Sequence, residues 1–345
     1  EQLLVKLFLQ SHRRKRPPRQ IVLDADATDD PIHGNQLGRL FHGYYGNFCY
    51  PPLYVFCGEH LLCAKLRPSN IDASLGRVKV LANIVEQIRA AWPKVRIIVR
   101  EDSGFCRENL MSWCEANGVD FIPGLARNRR LVAAMGCELQ EAKEQHEATG
   151  QAARLFKDFQ YRTRKSWGCR RRVIGKAEHL NKGPNPRFVV TSLPADEVDA
   201  GTLYEDHYCA RGDTGNRIKE QQLRMFADRT SVAIMRANQL RLWFSSIAYC
   251  LMVSLRQRGL QGTAMAQGPM HGHPTQAVQD RRPHPCHCPQ RVGCMERQLP
   301  VRTSLWPNMD QSGESGSNAV LTRPCNPVLD QPKIAEPTPA IAPPI

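Results

Sequence analysis

The sequence lacks an apolar run long enough to span a membrane, and it shows no secretory leader. The longest apolar stretch, Leu242–Leu255, covers 14 residues, whereas a bilayer needs about 20. The run Leu3–Leu9 is too short for the hydrophobic region of a signal peptide. There is also no internal repeat, which argues against solenoid folds. We therefore expect no membrane partner and a cytoplasmic location, in which the 13 cysteines would stay reduced.

Acidic residues are too few to balance the basic ones. The 345 residues include 47 Lys and Arg but only 33 Asp and Glu, which gives a net charge of +14. Such an excess favours a polyanionic partner, either nucleic acid or an anionic membrane. The segment 154–187 alone carries 11 Lys and Arg against 2 Asp and Glu. We interpret this segment as a surface for nucleic-acid phosphates, with a merely solubilising surface as the alternative.

The composition changes abruptly near residue 265. Residues 266–345 hold 14 of the 25 prolines and show neither strand nor helix periodicity. A segment of this kind buries too little apolar surface to offset its chain entropy. We therefore expect a mostly disordered tail at 263–345. The abruptness also suggests out-of-frame translation, and the alternative is a genuine disordered tail.

The first part of the chain has the pattern of an α/β fold. Short apolar runs and two amphipathic segments predict the order β-β-β-α-β-α-β. The first helix is expected over 74–92, with Ser74 as its N-cap and Leu75 on its buried face. The second helix is expected over 106–117. The five strands are expected at 20–26, 53–57, 61–66, 95–100 and 119–122.

The rest of the folded part is expected to be rich in strands and then helical. A polar helix is predicted at 137–149, and two helices at about 215–227 and 231–256. Strand-like pieces lie between them, at 155–167, 169–177 and 187–193. The buried face of the last helix is expected to consist of its large apolar residues, which are Val232, Met235, Leu240, Trp243, Ile247, Leu251 and Leu255.

Carboxylates stand at the ends of two predicted strands. Asp24 and Asp26 close the first strand, and Asp102 follows the fourth. If these strands are neighbours, the carboxylates converge, and converging carboxylates repel each other unless a cation lies between them. Hard oxygen ligands select Mg²⁺ or Mn²⁺. Aspartates that merely cap turns are the alternative interpretation.

Three ordered blocks resemble the DDE transposases of bacterial insertion sequences, in the branch with a Tyr-x2-Arg-x3-Glu-x6-Lys signature. Ile21–Gly34 resembles the first catalytic block, Val99–Phe105 the second and Tyr208–Glu220 the third. The resemblance implies an α/β fold, an RNase H-like mixed sheet flanked by helices, with a β-rich insertion. The implied parts are a basic N-terminal remnant at 1–19, the catalytic core at 20–124, the insertion at 125–200, the helical end of the core at 201–262 and the tail.

The resemblance assigns catalytic and metal-binding roles to Asp26, which stands two residues before Thr28, and to Asp102. Asp24 is the alternative first carboxylate and a further metal ligand. Tyr208 and Arg211 match the Tyr and Arg of the signature, and this arginine would hold a DNA phosphate. The implied cofactor is Mg²⁺ or Mn²⁺.

The pattern then fails, because the signature's Glu and Lys fall on Gly215 and Gln222. Glu220 is our candidate for the third catalytic carboxylate, although it lies about 140° round a helix from position 215. The resemblance implies a transposase for metal-dependent DNA cleavage and strand transfer at insertion-sequence ends, impaired in this copy. The alternative is a non-catalytic DNA-binding remnant.

Double-stranded DNA, as transposon ends and target, is the implied partner, and the resemblance is compatible with a homodimer and a place near the nucleoid. Sequence-independent contacts to phosphates are expected from basic side chains of the insertion. The residues chosen for this role are Arg162, Arg164, Arg170, Arg171 and Arg172.

Overall fold

The computed structural model describes residues 2–13, 15–72 and 74–261. The strands are β1 (Gln20–Ala27), β2 (Asp30–Pro31), β3 (Leu40–His42), β4 (Asn47–Tyr50), β5 (Leu53–Cys57), β6 (His60–Lys65), β7 (Arg96–Glu101), β8 (Asp120–Leu125), β9 (Ala153–Tyr161), β10 (Arg171–Leu180), β11 (Gly183–Pro184) and β12 (Arg187–Thr191). The helices are α1 (Gln2–Ser11), α2 (Arg77–Ala91), α3 (Glu108–Ala116), α4 (Arg129–Ala134), α5 (Gly136–Thr149), α6 (Ala200–Thr202), α7 (Gly212–Met225) and α8 (Met235–Gly259). The expected tail at 263–345 lies outside the described residues.

The central sheet begins with the strand order β6-β5-β1-β7-β8. β1, β7 and β8 are parallel, whereas β5 and β6 run antiparallel to their neighbours. This arrangement confirms the predicted β-β-β-α-β-α-β order along the chain and the predicted mixed sheet. Because β1 and β7 are parallel neighbours, both end at the same edge of the sheet, which we call the carboxyl edge.

The strand-rich segment extends this sheet and does not form a sheet of its own. β12 pairs antiparallel with β8, with Phe188 opposite Leu125 and Val189 opposite Gly124. β10 pairs with β12 on one side and with β9 on the other. The insertion is therefore joined to the core by backbone hydrogen bonds, and its distance from the carboxyl edge is set by strand pairing.

Helices cover both faces of the sheet. On one face, Leu23 and Ala25 of β1 pack in a large core with α2 and α3 and with the partly basic N-terminal segment, whose α1 buries Val5 and Phe8. On the other face, Tyr54 and Phe56 of β5 pack against residues of α7 and α8. A smaller core on this second face holds Ile98, Ile122, Ile174, Val189, Leu203 and Tyr204.

Two expectations about helices were wrong. Gly76, with φ of 74°, is the N-cap of α2 instead of Ser74, and Leu75 is exposed because it precedes the helix. On α8 the large apolar residues Leu240, Trp243, Leu251 and Leu255 are exposed. The buried face is partly polar, and some of its side chains find internal partners. Ser246 donates to the Leu242 carbonyl and accepts from Gln221, and the Tyr249 hydroxyl donates to the Glu59 carbonyl.

Within the described ranges, no helix has both the length and the apolar character that crossing a membrane requires.

Candidate functional site

Asp26 and Asp102 meet at the carboxyl edge. Ala25 of β1 is paired with Glu101 of β7. Asp26 directly follows Ala25 and Asp102 directly follows Glu101, so the two aspartates lie at neighbouring positions of the sheet. The Asp26 carboxylate accepts a hydrogen bond from the Ala27 amide at 2.9 Å, and the Asp102 carboxylate accepts one from the Ser103 amide at 2.6 Å. These local bonds aim both carboxylates away from their strands. Both line a cavity of about 580 Å³, and we call them the Asp pair.

The guanidinium of Arg211 lies between the two carboxylates. Its Nη1 is 3.0 Å from Asp26 Oδ2, and its Nη2 is 3.8 Å from Asp102 Oδ1. Burial raises the pKa of Asp26 to about 6, the neighbouring Arg211 lowers it, and the charges of Asp102 and Asp24 raise it further. The carboxyl edge is thus partly shielded from water, and one permanent positive charge faces two carboxylates there.

Asp24 projects from the same face as Asp26 but does not reach the cavity. Its Oδ1 is 2.5 Å from Nε of Arg100, and its Oδ2 accepts from Nη2 of the same residue at 2.8 Å. Arg100 is opposite Asp24 in the β1–β7 pairing, and it also donates to the His207 carbonyl. Asp24 is therefore one half of an ion pair inside the sheet. The expectation that it serves as a metal ligand is corrected accordingly.

Tyr208 lies beside the Asp pair, as the sequence comparison implied. It ends a π-helical segment, Leu203–Tyr208, which leads through a 3₁₀ turn into α7. Its side chain comes so close to β8 that a Cβ added to Gly124 would collide with its hydroxyl. Tyr208 and Asp102 share a second cavity of about 350 Å³. The glycine in β8 thus allows the close approach that brings the tyrosine to the carboxyl edge.

Position 215 carries no carboxylate. Gly215 is one helical turn after Arg211, and residues four apart share a helix face. A Cβ added to Gly215 would meet no heavy atom within 4 Å. Further along the same helix, Gln222 Nε2 donates to Asp30 Oδ1 at 2.8 Å. Position 215 is therefore open to a side chain, one helical turn after Arg211.

Glu220 is not brought to the Asp pair. It lies near Tyr249 of α8, whose pKa is raised by burial and then by the charge of Glu220. The choice of Glu220 as third catalytic carboxylate is therefore corrected. Its position five residues after Gly215 turns it towards α8, as the helical angle had indicated.

The comparisons with known proteins agree with this geometry. The family model of the transposase DDE domain group 1 matches residues 1–271. The chain belongs to this family of DDE transposase domains. The predicted membership in the DDE transposases is thus confirmed. A search of the curated proteins gave no match.

Two solved transposase structures are similar to the DDE domain. The Mos1 transposase paired-end complex with left transposon end is 13% identical, with a TM-score of 0.23, over 42% of this chain and 52% of that chain. The piggyBac transposase synaptic complex with hairpin DNA is 11% identical, with a TM-score of 0.37, over 82% of this chain and 66% of that chain. The chain therefore spans about half to two thirds of the length of these transposases.

The arginines predicted to bind DNA separate into two groups. Arg171 is buried and bonded to Glu108 and Glu115 of α3, and Arg172 is buried between Asp158 and the carbonyls of Leu193, Pro194 and Val198. Both are structural, so their assignment to DNA binding is corrected. The side chains of Arg162, Arg164 and Arg170 are exposed.

Sequence reasoning missed two arginines next to the Asp pair. Arg127 follows β8 and Arg187 opens β12, and both line the cavity shared by Asp102 and Tyr208. Arg187 was inside the basic segment but was not singled out. Arg127 was detectable, because an arginine just after the strand beside β7 must lie near the residue that follows β7. Arg107 lines the first cavity, where its guanidinium is paired with Asp72 of the same lining. Arg127 and Arg187 thus make the side of the Asp pair next to Asp102 basic.

The donor chemistry of the Asp pair is that of a magnesium or manganese site, but the donor set is incomplete. Carboxylate oxygens are ligands that both ions prefer. Among the described residues, however, no group of three or more His, Cys, Asp and Glu is arranged to hold a metal ion. Arg211 also places its own positive charge between the two carboxylates. In this arrangement the residues present do not fit a divalent cation.

Proposed function

We propose that this DDE domain binds duplex DNA at the carboxyl edge, and that its strand cleavage and strand transfer at insertion-sequence ends are impaired at position 215. The observation that carries the proposal is the Asp pair bridged by Arg211, with an open, side-chain-free position one turn further along α7. The partner would be transposon-end and target DNA, with two chains of a homodimer holding two ends.

The DNA would follow the basic side chains that border the two cavities. Arg107 lies at the cavity of the Asp pair, and Arg127 and Arg187 lie at the neighbouring one. Guanidinium groups bind phosphates through paired hydrogen bonds, which fix the position of a strand without reading its bases. The aromatic side chains of Tyr204 and Tyr208 line the second cavity and offer apolar surface between these charges.

Cleavage needs the scissile phosphate to lie between groups that stabilise its developing charge. Asp26 and Asp102 stand in the right place for such chemistry, but both face Arg211, and Gly215 offers no third acid. We therefore expect binding without efficient cleavage. The second candidate is a remnant that binds DNA and has lost cleavage altogether, and it is favoured by the same missing carboxylate.

A plasmid assay tests the proposal and separates the two candidates. The substrate is a supercoiled plasmid that carries the DNA flanking the coding sequence, incubated with Mg²⁺ or Mn²⁺, and both binding and nicking are measured. The wild-type chain should bind and nick slowly. Gly215→Glu should nick about 100-fold faster, since one charge-stabilising group typically contributes a factor of that size. Gly215→Gln is the matched control, because it adds a similar side chain without charge.

Two results would contradict the proposal. Efficient nicking by the wild-type chain, abolished by Asp102→Ala, would show that position 215 causes no impairment. If Arg127→Ala and Arg187→Ala lower only the stability of the chain and leave its DNA affinity and the salt dependence of binding unchanged, DNA does not pass this edge. Nicking that stays absent in Gly215→Glu, with binding intact, would leave the remnant as the correct candidate.

A further inference from the structure

The place that a cation would take between the two carboxylates of the Asp pair is already filled by a side chain. Arg211 reaches Asp26 with Nη1 and Asp102 with Nη2. Two carboxylates that converge need a positive charge between them. A guanidinium meets this need permanently, because it does not lose its proton at physiological pH. The charge of the pair is thus balanced from within the chain.

Several contacts hold the guanidinium in this position. Only 23% of the Arg211 side chain is exposed, and Asp26 is 18% exposed, so their contact at 3.0 Å is partly shielded from water. The Tyr208 hydroxyl also interacts with Arg211. An ion pair with this degree of burial is stronger than an exposed one. A divalent cation that approaches the Asp pair must therefore compete with Arg211.

Gly215 influences this competition because it lies one turn after Arg211 on the same helix. A glutamate at this position would be an i,i+4 neighbour of the arginine, and pairs of opposite charge at this spacing attract each other. It would draw the guanidinium along α7 and away from the Asp pair. The open space around Gly215 leaves room for the longer side chain.

We propose that Arg211 is the resident counter-cation of Asp26 and Asp102, that it competes with divalent cations for the Asp pair, and that the glycine at position 215 favours the arginine. The inference rests on the proposed site at the carboxyl edge. It adds a second reason for the impairment: the missing side chain both removes one acid and leaves Arg211 on the other two.

The inference is tested by measuring Mn²⁺ binding in the absence of DNA. The electron paramagnetic resonance signal of the free ion is the readout. The full chain is compared with Arg211→Gln and with Gly215→Glu. Arg211→Gln should bind Mn²⁺ at least about tenfold more tightly than the wild type, because a unit charge a few ångströms away is removed. Gly215→Glu should also bind Mn²⁺ more tightly, but its new carboxylate contributes to this gain directly, so Arg211→Gln carries the test. Arg211→Lys keeps the charge and should stay close to the wild type.

Arg217→Gln is the matched control on the same helix, since Arg217 pairs with Asp213 and does not contact the Asp pair. It should leave Mn²⁺ affinity unchanged. Adding Asp102→Asn to Arg211→Gln should remove the gain, which locates the binding at the Asp pair. As a second measurement, Mn²⁺ should raise the melting temperature of Arg211→Gln more than that of the wild type.

Different failures have different meanings. If all these variants bind Mn²⁺ as the wild type does, and Asp102→Asn weakens them all, the Asp pair is a cation site but Arg211 does not compete, and the inference is wrong. If no variant binds Mn²⁺, Gly215→Glu included, the cation site itself is absent, and the proposed cleavage falls together with the inference. If Arg211→Gln does not fold, Arg211→Met replaces it in the comparison, since it also removes the charge and adds no oxygen ligand.

Discussion

Asp24 and Asp26 lie two residues apart on β1 and project from the same face of the sheet, yet their surroundings differ. Asp24 is enclosed, with both carboxylate oxygens bonded to Arg100 at 2.5 and 2.8 Å. Asp26 stands at the end of the strand, borders a cavity and shares Arg211 with a second carboxylate. The same combination of an aspartate and an arginine is thus enclosed inside the sheet in one case and borders a cavity at the edge of the sheet in the other.

The basic residues of the insertion show the same difference. Arg171 is buried and bonded to Glu108 and Glu115, whereas the adjacent Arg170 is exposed. A net charge counts both arginines equally, but only the exposed one can meet a phosphate. The internal partners of a charged residue, and not its charge, decide whether it belongs to the fold or to a binding surface.

The largest effect is expected when the enclosed pair is broken. Arg100→Gln should lower the free energy of unfolding by about 3–5 kcal/mol, because it leaves Asp24 buried without its counter-charge. Urea unfolding measures this loss. Asp24→Asn combined with Arg100→Gln should recover most of the stability. Asp26→Asn should cost no more than about 1 kcal/mol, and a loss as large as that of Arg100→Gln would show that the edge is as closed as the interior.

A smaller effect is expected from the two neighbouring arginines. Arg171→Ala should lower the free energy of unfolding by about 2–3 kcal/mol, since it removes a buried partner of two glutamates that can partly regain water. Arg170→Ala should change it by less than about 0.5 kcal/mol and should weaken DNA binding with a reduced dependence on salt. Equal losses of stability in both variants would end the distinction between enclosed and available arginines.

The smallest effect concerns a carboxylate that is enclosed without an arginine. Burial raises the pKa of Asp30 to about 8, against the lowering effect of its hydrogen bond from Gln222. The folded state therefore keeps a proton that the unfolded state loses near pH 4, so the stabilising contribution of this proton is lost as pH rises towards 8. Asp30→Asn stays neutral throughout.

The stability of Asp30→Asn relative to the wild type should therefore increase between pH 4 and pH 8, by about 1 kcal/mol or more. Thermal melts across this range measure the difference, with Asp29→Asn as the matched control at the neighbouring position. A difference that is constant with pH would mean that Asp30 is ionised in the folded chain.

The sheet was predictable from the sequence, and the partners of its charges were not. The order of strands and helices along the chain follows from apolar runs and from the two amphipathic segments between them, which are local signals. The distinction between Asp24 and Asp26 depends on Arg100, which stands opposite Asp24 only once β1 and β7 are paired. In the same way, Arg171 meets two glutamates of α3, and nothing near it in the sequence announces them.

On α8 the apolar pattern was misleading for a related reason. Asn238, Ser245 and Ser246 are buried there, while several leucines and Trp243 are exposed. The hydrogen bonds of Asn238 to the backbone of Val232, and of Ser246 to Gln221, offset the cost of burying their polar groups. Hydrophobicity alone cannot anticipate partners of this kind, since one is the backbone of the segment before α8 and the other comes from the packing of α7 on α8.

The pairing of β12 with β8 has a consequence for register. Phe188 and Val190 point into the large core of the sheet, while Val189 points into the smaller core on the opposite face. A slip of β12 by one residue would exchange these two faces and would bury polar groups in place of apolar ones. The same slip would carry Arg187 away from its cavity beside Asp102. Selection for a well-packed phenylalanine in the interior therefore also preserves the position of a surface arginine.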